Sequence, residues 1–360
     1  MVTGFIGVLA AVNAQAVEIN GFTQVSFFRC TNGKCAAALG EDSGRNGNFA
    51  IGNVDLYIAQ AFDQVDVLLE LNFEDGTVFD LERLRLGYTF SDAARLYAGR
   101  VHTPLGFWNN LYHHGDQLAP TIERPEFLKF EDDGGIIPVH TVGVAAAGRL
   151  GTDLLVTEYQ LMLGNGPKVT SEDGTVGLLD PNNITDNNRQ KSVAGYLSLA
   201  PRAVPGLKFG LSGHLARVQG DDALTPTLPP GLSAVDLDQR ILNGSVMYEA
   251  DKILFLGEYY AIQDKDLREG GVGSNTNSAY YALLSYALTP RWVPYAMYEA
   301  MALKEADPYV IALGARDLTE LAGGVRFNIS WRSSVKAEVR SVNRDDNRWA
   351  EYAVQWALGF

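Results

Sequence analysis

Apolar side chains return at every second position through most of the chain, in stretches of about ten residues separated by polar, glycine-rich connections. The final stretch, RWAEYAVQWALGF, shows the pattern plainly. Ala350, Tyr352, Val354, Trp356, Leu358 and Phe360 share one face, while Trp349, Glu351, Ala353, Gln355, Ala357 and Gly359 share the other. That is a strand with one greasy side. The same rhythm predicts a first strand over 17–28 and a second marked by Val54, Leu56 and Ile58. A tight turn at Asp63-Gln64 leads into a third, which sets Val65, Val67, Leu69, Leu71 and Phe73 against Asp66, Glu70 and Asn72. After the short loop EDGTVFD a fourth strand puts Leu84, Leu86, Tyr88 and Phe90 on one face and Arg83 and Arg85 on the other. A turn at SDAAR then starts a fifth strand, LYAGRVH.

The rest of the chain repeats this order. A long connection, residues 103–138, precedes an alanine-rich strand ending near Gly148, a turn at Gly151-Thr152 and a seventh strand; residues 164–190 and 220–238 read as polar loops. Tight turns fall at 201–206, 250–252, 289–291, 330–332 and 344–347. About sixteen strands result, an even number that leaves both chain termini on one side. Short and long connections alternate, which a soluble sandwich has no reason to maintain. Beyond the N-terminus no run of about 18 apolar residues is present, so only a closed sheet could cross a bilayer. The expected fold is all-β: a transmembrane antiparallel β-barrel with short periplasmic turns and long extracellular loops. Pro294 conflicts with a closed sheet, so a bulge or a displaced strand boundary is expected there.

Composition agrees with many short strands: among 360 residues there are 37 glycines, 16 tyrosines and 16 phenylalanines, with 20% charged. A net charge of -14 excludes the basic footprint of a nucleic-acid binder. Residues 1–16 are apolar and end in Ala14-Gln15-Ala16, the small-x-small pattern of a secretory leader; no Lys or Arg precedes the apolar run, which marks the start as truncated or misassigned. Residues 17–360 then form a single barrel domain. In an exported chain Cys30 and Cys35, close together in CTNGKC, are expected to pair as a disulfide, and their surroundings lack a haem or closed zinc motif.

Two stretches carry a resemblance. The closing strand, with alternating aromatic and aliphatic residues before a terminal Phe360, resembles the terminal signature of Gram-negative outer-membrane porins. The segment AGRVHTPLGFW is similar to the Gly-Arg-x-x-Thr-Pro-x-Gly pattern of the phosphate-selective porin family, over about a dozen residues. The resemblance implies a homotrimer in outer-membrane lipid and lipopolysaccharide. It also implies a third loop folded into the lumen, a constriction lined by basic residues, and passage of small hydrophilic solutes or ions without a cofactor.

The inward positions carry the candidate chemistry. Arg83, Arg85 and Arg100 form a basic cluster on neighbouring strands, with His102 beside it, and the third loop carries Asp116, Glu123, Glu126, Glu131, Asp132 and Asp133. These are the expected pore-lining and constriction residues. The loop also holds Phe107, Trp108, Leu111, Tyr112, Phe127, Leu128 and Phe130, which argues that it docks inside with its acids facing the three arginines. The acidity departs from an anion-selective pattern and suggests a transverse field. Further inward charges (Asp55, Glu70, Glu258, Glu299, Lys336, Glu338 and Arg340 among them) call for a wet or densely paired interior. Other classes stay open. A barrel could sheathe or dock a partner such as a redox protein. An outer-membrane hydrolase would need a nucleophile beside one of five histidines, and no Gly-x-Ser-x-Gly elbow occurs. Passage of a metal along His102, His113, His114 and Asp116 is a variant of the channel reading.

Overall fold

The computed structural model describes residues 16–31, 47–74, 78–113, 117–129, 135–170, 178–181, 185, 189–219 and 235–360. Eighteen strands appear in chain order: β1 (Glu18–Cys30), β2 (Asn48–Phe62), β3 (Val65–Glu74), β4 (Val78–Ser91), β5 (Ala94–His102), β6 (His140–Gly151), β7 (Leu155–Gly164), β8 (Lys168–Thr170), β9 (Leu178–Asp180), β10 (Ser192–Pro201), β11 (Leu207–Gln219), β12 (Asp236–Ala250), β13 (Ile253–Asp266), β14 (Ser274–Tyr286), β15 (Trp292–Ala302), β16 (Leu318–Ser330), β17 (Ser333–Arg344) and β18 (Asn347–Gly359). Two short helices, α1 (Trp108–Leu111) and α2 (Pro308–Leu313), lie in connections.

β1 to β7 and β10 to β18 form a closed, all-antiparallel barrel of 16 strands, the expected class and number. The seam joins β1 to β18 from Phe22↔Gly359 to Cys30↔Glu351, and Gly21 and Phe360 exchange backbone hydrogen bonds of 2.9 Å in both directions. β8 and β9 form a small hairpin inside the connection read from sequence as unbroken loop. β4 begins at Val78, earlier than the pattern suggested, because a register shift at Glu70/Leu71 absorbs the break in alternation at Leu81-Glu82.

Pro294 sits in unbroken register with Val325 of β16, so neither a bulge nor a displaced boundary is found. Its cost is small because the β14 ladder starts only at Ser285↔Tyr295, leaving Pro294 paired on one side alone.

The outer face is apolar, with exposed Leu86, Leu161, Leu211, Leu242, Leu321 and Val354. Aromatic pairs band both ends: Phe27–Phe49 and Phe73–Phe79, at 4.9 and 5.2 Å, lie toward the long loops, and Tyr88–Phe90 and Trp292–Phe327, at 4.7 and 4.6 Å, toward the short turns. Such bands suit the two interfaces of a bilayer. Residues 1–15, most of the expected leader, lie outside the described residues.

The interior carries more apolar packing than the wet or densely paired lumen expected from sequence. Large apolar inward side chains gather on β12 to β16, including Ile241, Met247, Leu256, Tyr260, Tyr281, Leu283, Met297 and Ala322; they form one buried cluster with residues of the third loop, interleaved with buried polar groups such as Asn243, Glu258 and Glu299. Inward positions of β1 to β4 and of β17 and β18 carry a further set of polar side chains, among them Ser26, Asp55, Glu70, Asn72, Lys336, Arg340 and Gln355.

Candidate functional site: the lumen and the third loop

The third loop, residues 103–139, leaves the wall where β5 and β6 end. Thr103 Oγ1 meets Thr141 Oγ1 at 2.7 Å, and Asn109 Nδ2 donates to the carbonyls of Thr103 and Val139, closing the neck of the loop. Gly106 follows at φ +68°, where a Cβ would stand 1.9 Å from Glu258 Oε2 and 2.1 Å from the Tyr260 hydroxyl; only glycine allows this approach. Immediately beyond, the Phe107 and Trp108 N–H groups donate to Glu258 at 3.1 and 2.7 Å. Tyr281 and Tyr260 donate their hydroxyls to the same carboxylate at 2.5 and 2.9 Å. A buried carboxylate is tolerable only with such a set of donors.

Packing completes the anchor. Trp108 meets Tyr281 edge-on at 5.5 Å, and Phe127 meets Tyr260 at 5.3 Å. The returning limb is hydrogen-bonded along β16 and β17: Arg326 donates to the Leu118 and Ala119 carbonyls, Lys336 to the Thr121 carbonyl at 2.7 Å, and Ile122 N–H to Glu338 at 3.1 Å. The Glu126 N–H donates to Glu299 at 2.8 Å, and the Tyr309 hydroxyl to the Ile136 carbonyl at 2.8 Å.

The loop acids do not face the predicted arginines. Glu123 lies 3.4 Å from Lys129 and 3.8 Å from Arg340, and Glu126 lies 3.1 Å from Lys129 and pairs with Arg344. The reason is the docking side: the aromatic anchor seats the loop against β13 and β14, and the returning limb then rises beside β17. Arg340 also meets Glu338, Glu320 and Glu351 at 2.6, 3.7 and 3.7 Å. Burial pushes the Glu123 carboxyl up, but Lys129 and Arg340 outweigh it and hold its pKa at about 2; Glu126 is likewise lowered, by Lys129 and Arg344 against burial. Tyr112 is pushed up to about 12, first by burial and then by Glu249.

The three arginines also part company. Arg83 pairs with Glu70 and lies over the Tyr57 ring, while Arg85 pairs with Asp66 at 2.7 Å and lies over Tyr97. Their side chains keep 19% and 31% exposure, so water reaches both. Arg100 follows Gly99, whose φ of +132° interrupts the alternation of β5, and it does not share the partners of Arg83 and Arg85. It is buried, donating to the Glu82 carbonyl at 2.9 Å and lying 3.4 Å from His140 Nδ1. His102 stacks on His113 with ring centroids 3.8 Å apart. Asp116, Glu131, Asp132, Asp133 and His114 lie outside the described residues. Cys30 is disulfide-bonded, and Cys35 lies outside the described residues.

Sequence reasoning passed over Glu82 and His140, which no local spacing links to Arg100, and over Lys129 and Arg344, the cations that hold the loop acids. Beneath α1, on the side of the short turns, a cavity of about 460 Å³ is lined by Arg95, Arg149, Glu158, Gln160 and Lys208 among others.

No protein-family profile and no curated protein matches the chain. Solved structures do. The anion-selective porin from Comamonas acidovorans superposes with a TM-score of 0.64 at 12% identity, covering 97% of this chain and 100% of that one. The outer membrane channel DcaP of Acinetobacter baumannii gives 0.64 at 10% identity over 98% and 99%. OmpF of Salmonella typhi, in complex with daunomycin, gives 0.60 at 12% identity over 96% and 97%. The fold is that of the bacterial outer-membrane porins.

Proposed function

We propose that this barrel is a bacterial outer-membrane channel for passive diffusion of small hydrophilic solutes and ions, narrowed by its third loop. One observation carries the reading: the loop packs on the apolar cluster of β12 to β16, while the ion-paired arginines of β4 keep their exposure to water. A closed barrel of this strand number is wide enough for an aqueous path beside such a loop. Arg83 and Arg85 line that path with carboxylates as neighbours, so the wall polarises solutes without strongly selecting either sign of charge. The loop acids Glu123 and Glu126 sit on the opposite bank, neutralised by β17 cations.

The neighbours' descriptions support the same class, since they name porins and an outer-membrane channel, and one structure of OmpT from Vibrio cholerae is described as a trimer form. A homotrimer is therefore part of the proposal. A protein plug is disfavoured because the third loop itself occupies part of the interior. Purified protein in a planar bilayer tests the reading: ohmic conductance with weak ion preference, in three-step insertions, is expected. A barrel that inserts and stays electrically silent would overturn it.

A further inference from the structure

At the neck of the third loop three imidazoles converge from three segments. His102 ends β5 and stands directly opposite His140, the first residue of β6, and His113 reaches them from the loop. One ring nitrogen from each lies within 4.8 Å of the others. His113 and His140 are buried, and the Nε2 atoms of all three are closed off from solvent. In a tetrahedral zinc shell with bonds of about 2.0–2.1 Å, neighbouring ligand atoms stand about 3.3 Å apart. Modest ring rotations would therefore close this set around an ion.

A hydrogen bond and an ion-pair contact orient two of the rings. Asn109 spends its amide nitrogen on the carbonyls of Thr103 and Val139, so its Oδ1, 2.7 Å from His113 Nδ1, accepts the proton of that nitrogen. The lone pair of His113 is thereby on Nε2. For His140, Nε2 lies 3.0 Å from Glu82 Oε2, a carboxylate that pairs with that side of the ring and leaves Nδ1 to face a metal. Amide and carboxylate partners of this kind are how protein folds orient metal-binding histidines. We propose that His102, His113 and His140, oriented by Asn109 and Glu82, bind one transition-metal dication of the zinc class and so clamp the root of the third loop to the β5–β6 hairpin. This site does not depend on the channel reading, and it differs from a metal path through the lumen because it is closed and uses His140.

Arg100 gives the proposal a distinctive signature. Its Nη2 lies 3.4 Å from His140 Nδ1 and 4.0 Å from Glu82 Oε2, so a metal at Nδ1 must displace the guanidinium toward the carboxylate. Removing that competing cation should tighten binding, which mere ring packing gives no reason to expect.

The test uses the full chain, folded in detergent, stripped with chelator and titrated with Zn²⁺ by calorimetry, with Co²⁺ absorption reporting ligand geometry. The expected result is one ion per chain with a tetrahedral Co²⁺ spectrum. Affinity should fall about 100-fold in His113→Ala and His140→Ala, and about 10- to 100-fold in Glu82→Gln. It should rise in Arg100→Gln and hold in His114→Ala. Heat-modifiable migration on gels checks folding of each variant, and His102→Gln replaces His140→Ala if the latter does not fold. Absence of stoichiometric Zn²⁺ binding by the unaltered protein overturns the site. So does binding that survives His140→Ala, or binding lost only with His114→Ala.

Discussion

The two halves of the barrel interior obey the same alternation and end as different materials. On β12 to β16 large apolar inward side chains, interleaved with hydrogen-bonded polar ones such as Asn243 and Glu258, meet the third loop, so that half is packed, with Trp108 and Phe127 buried as in a soluble protein. On β1 to β4 the inward side chains are charged or polar and meet one another across the ladder, as Arg83 with Glu70 and Arg85 with Asp66. Inward direction alone therefore does not specify a lumen. What decides is whether the loop's anchors find apolar partners on that wall.

If the first half is a core, it should respond to cavities. Trp108→Ala is expected to cost about 3–5 kcal/mol, seen as a lowered unfolding midpoint in detergent, and to raise single-channel conductance with added noise as the loop loosens. An unchanged midpoint would remove the core from the comparison. Next comes the carboxylate beneath the anchor. Glu258→Ala leaves the Phe107 and Trp108 N–H groups and two tyrosine hydroxyls short of their acceptor, at about 1–3 kcal/mol for each donor left unsatisfied. Glu258→Gln, which keeps the shape, should be milder by the same assay.

The charged half should show its effect in ion preference. Replacing Arg83 and Arg85 together by Ala is expected to shift the reversal potential in a salt gradient toward cations; the partly exposed Arg85–Asp66 pair should cost only about 1 kcal/mol, and the loss of Arg83 more, because its partner Glu70 is buried. Arg100→Gln should leave the reversal potential alone, because the side chain is buried beside Glu82 and His140; a shift as large as that of the double variant would restore the three-arginine cluster. The smallest effect expected is that of acid. The Glu123 carboxyl, lowered from 4.5 to about 2, contributes stability that is fully present above about pH 4.5 and is lost as pH falls through about 2. Between those values the loop should become more open to protease and the channel noisier, whereas Glu123→Gln should remove most of that dependence.

Much of the fold was legible because a barrel writes its outer face into the sequence at period two, and its two-residue turns, such as 63–64 and 251–252, admit few readings. The length and aromatic content of the third loop were equally visible. Its side of docking was not inferred, although the signal was present: ILFLGEYYAI in β13 and AYYALLSY in β14 are apolar on both faces, the mark of a strand covered on both sides. The arginine cluster failed for another reason. Parity counted along β5 from its apolar residues does not register that Arg100 pairs with Leu84, just after Gly99 at φ +132°. His102 and His140 lie far apart in the chain, and only the β5–β6 pairing makes them neighbours.

The seam between β1 and β18 has a consequence for assembly. Nearly every other pairing in the wall joins strands adjacent in sequence, so most of the sheet can grow as a chain of local hairpins at low contact order. The seam alone must bring together residues more than 300 positions apart, from Phe22↔Gly359 to Cys30↔Glu351. Its loop-closure entropy is met once, at the end. Until then the growing sheet has two unpaired edges, each a template for a neighbouring chain. The slow and vulnerable moment in the life of this protein is thus the search of one C-terminal strand for one N-terminal strand, and a folding factor that acts on it has only that single encounter to catalyse.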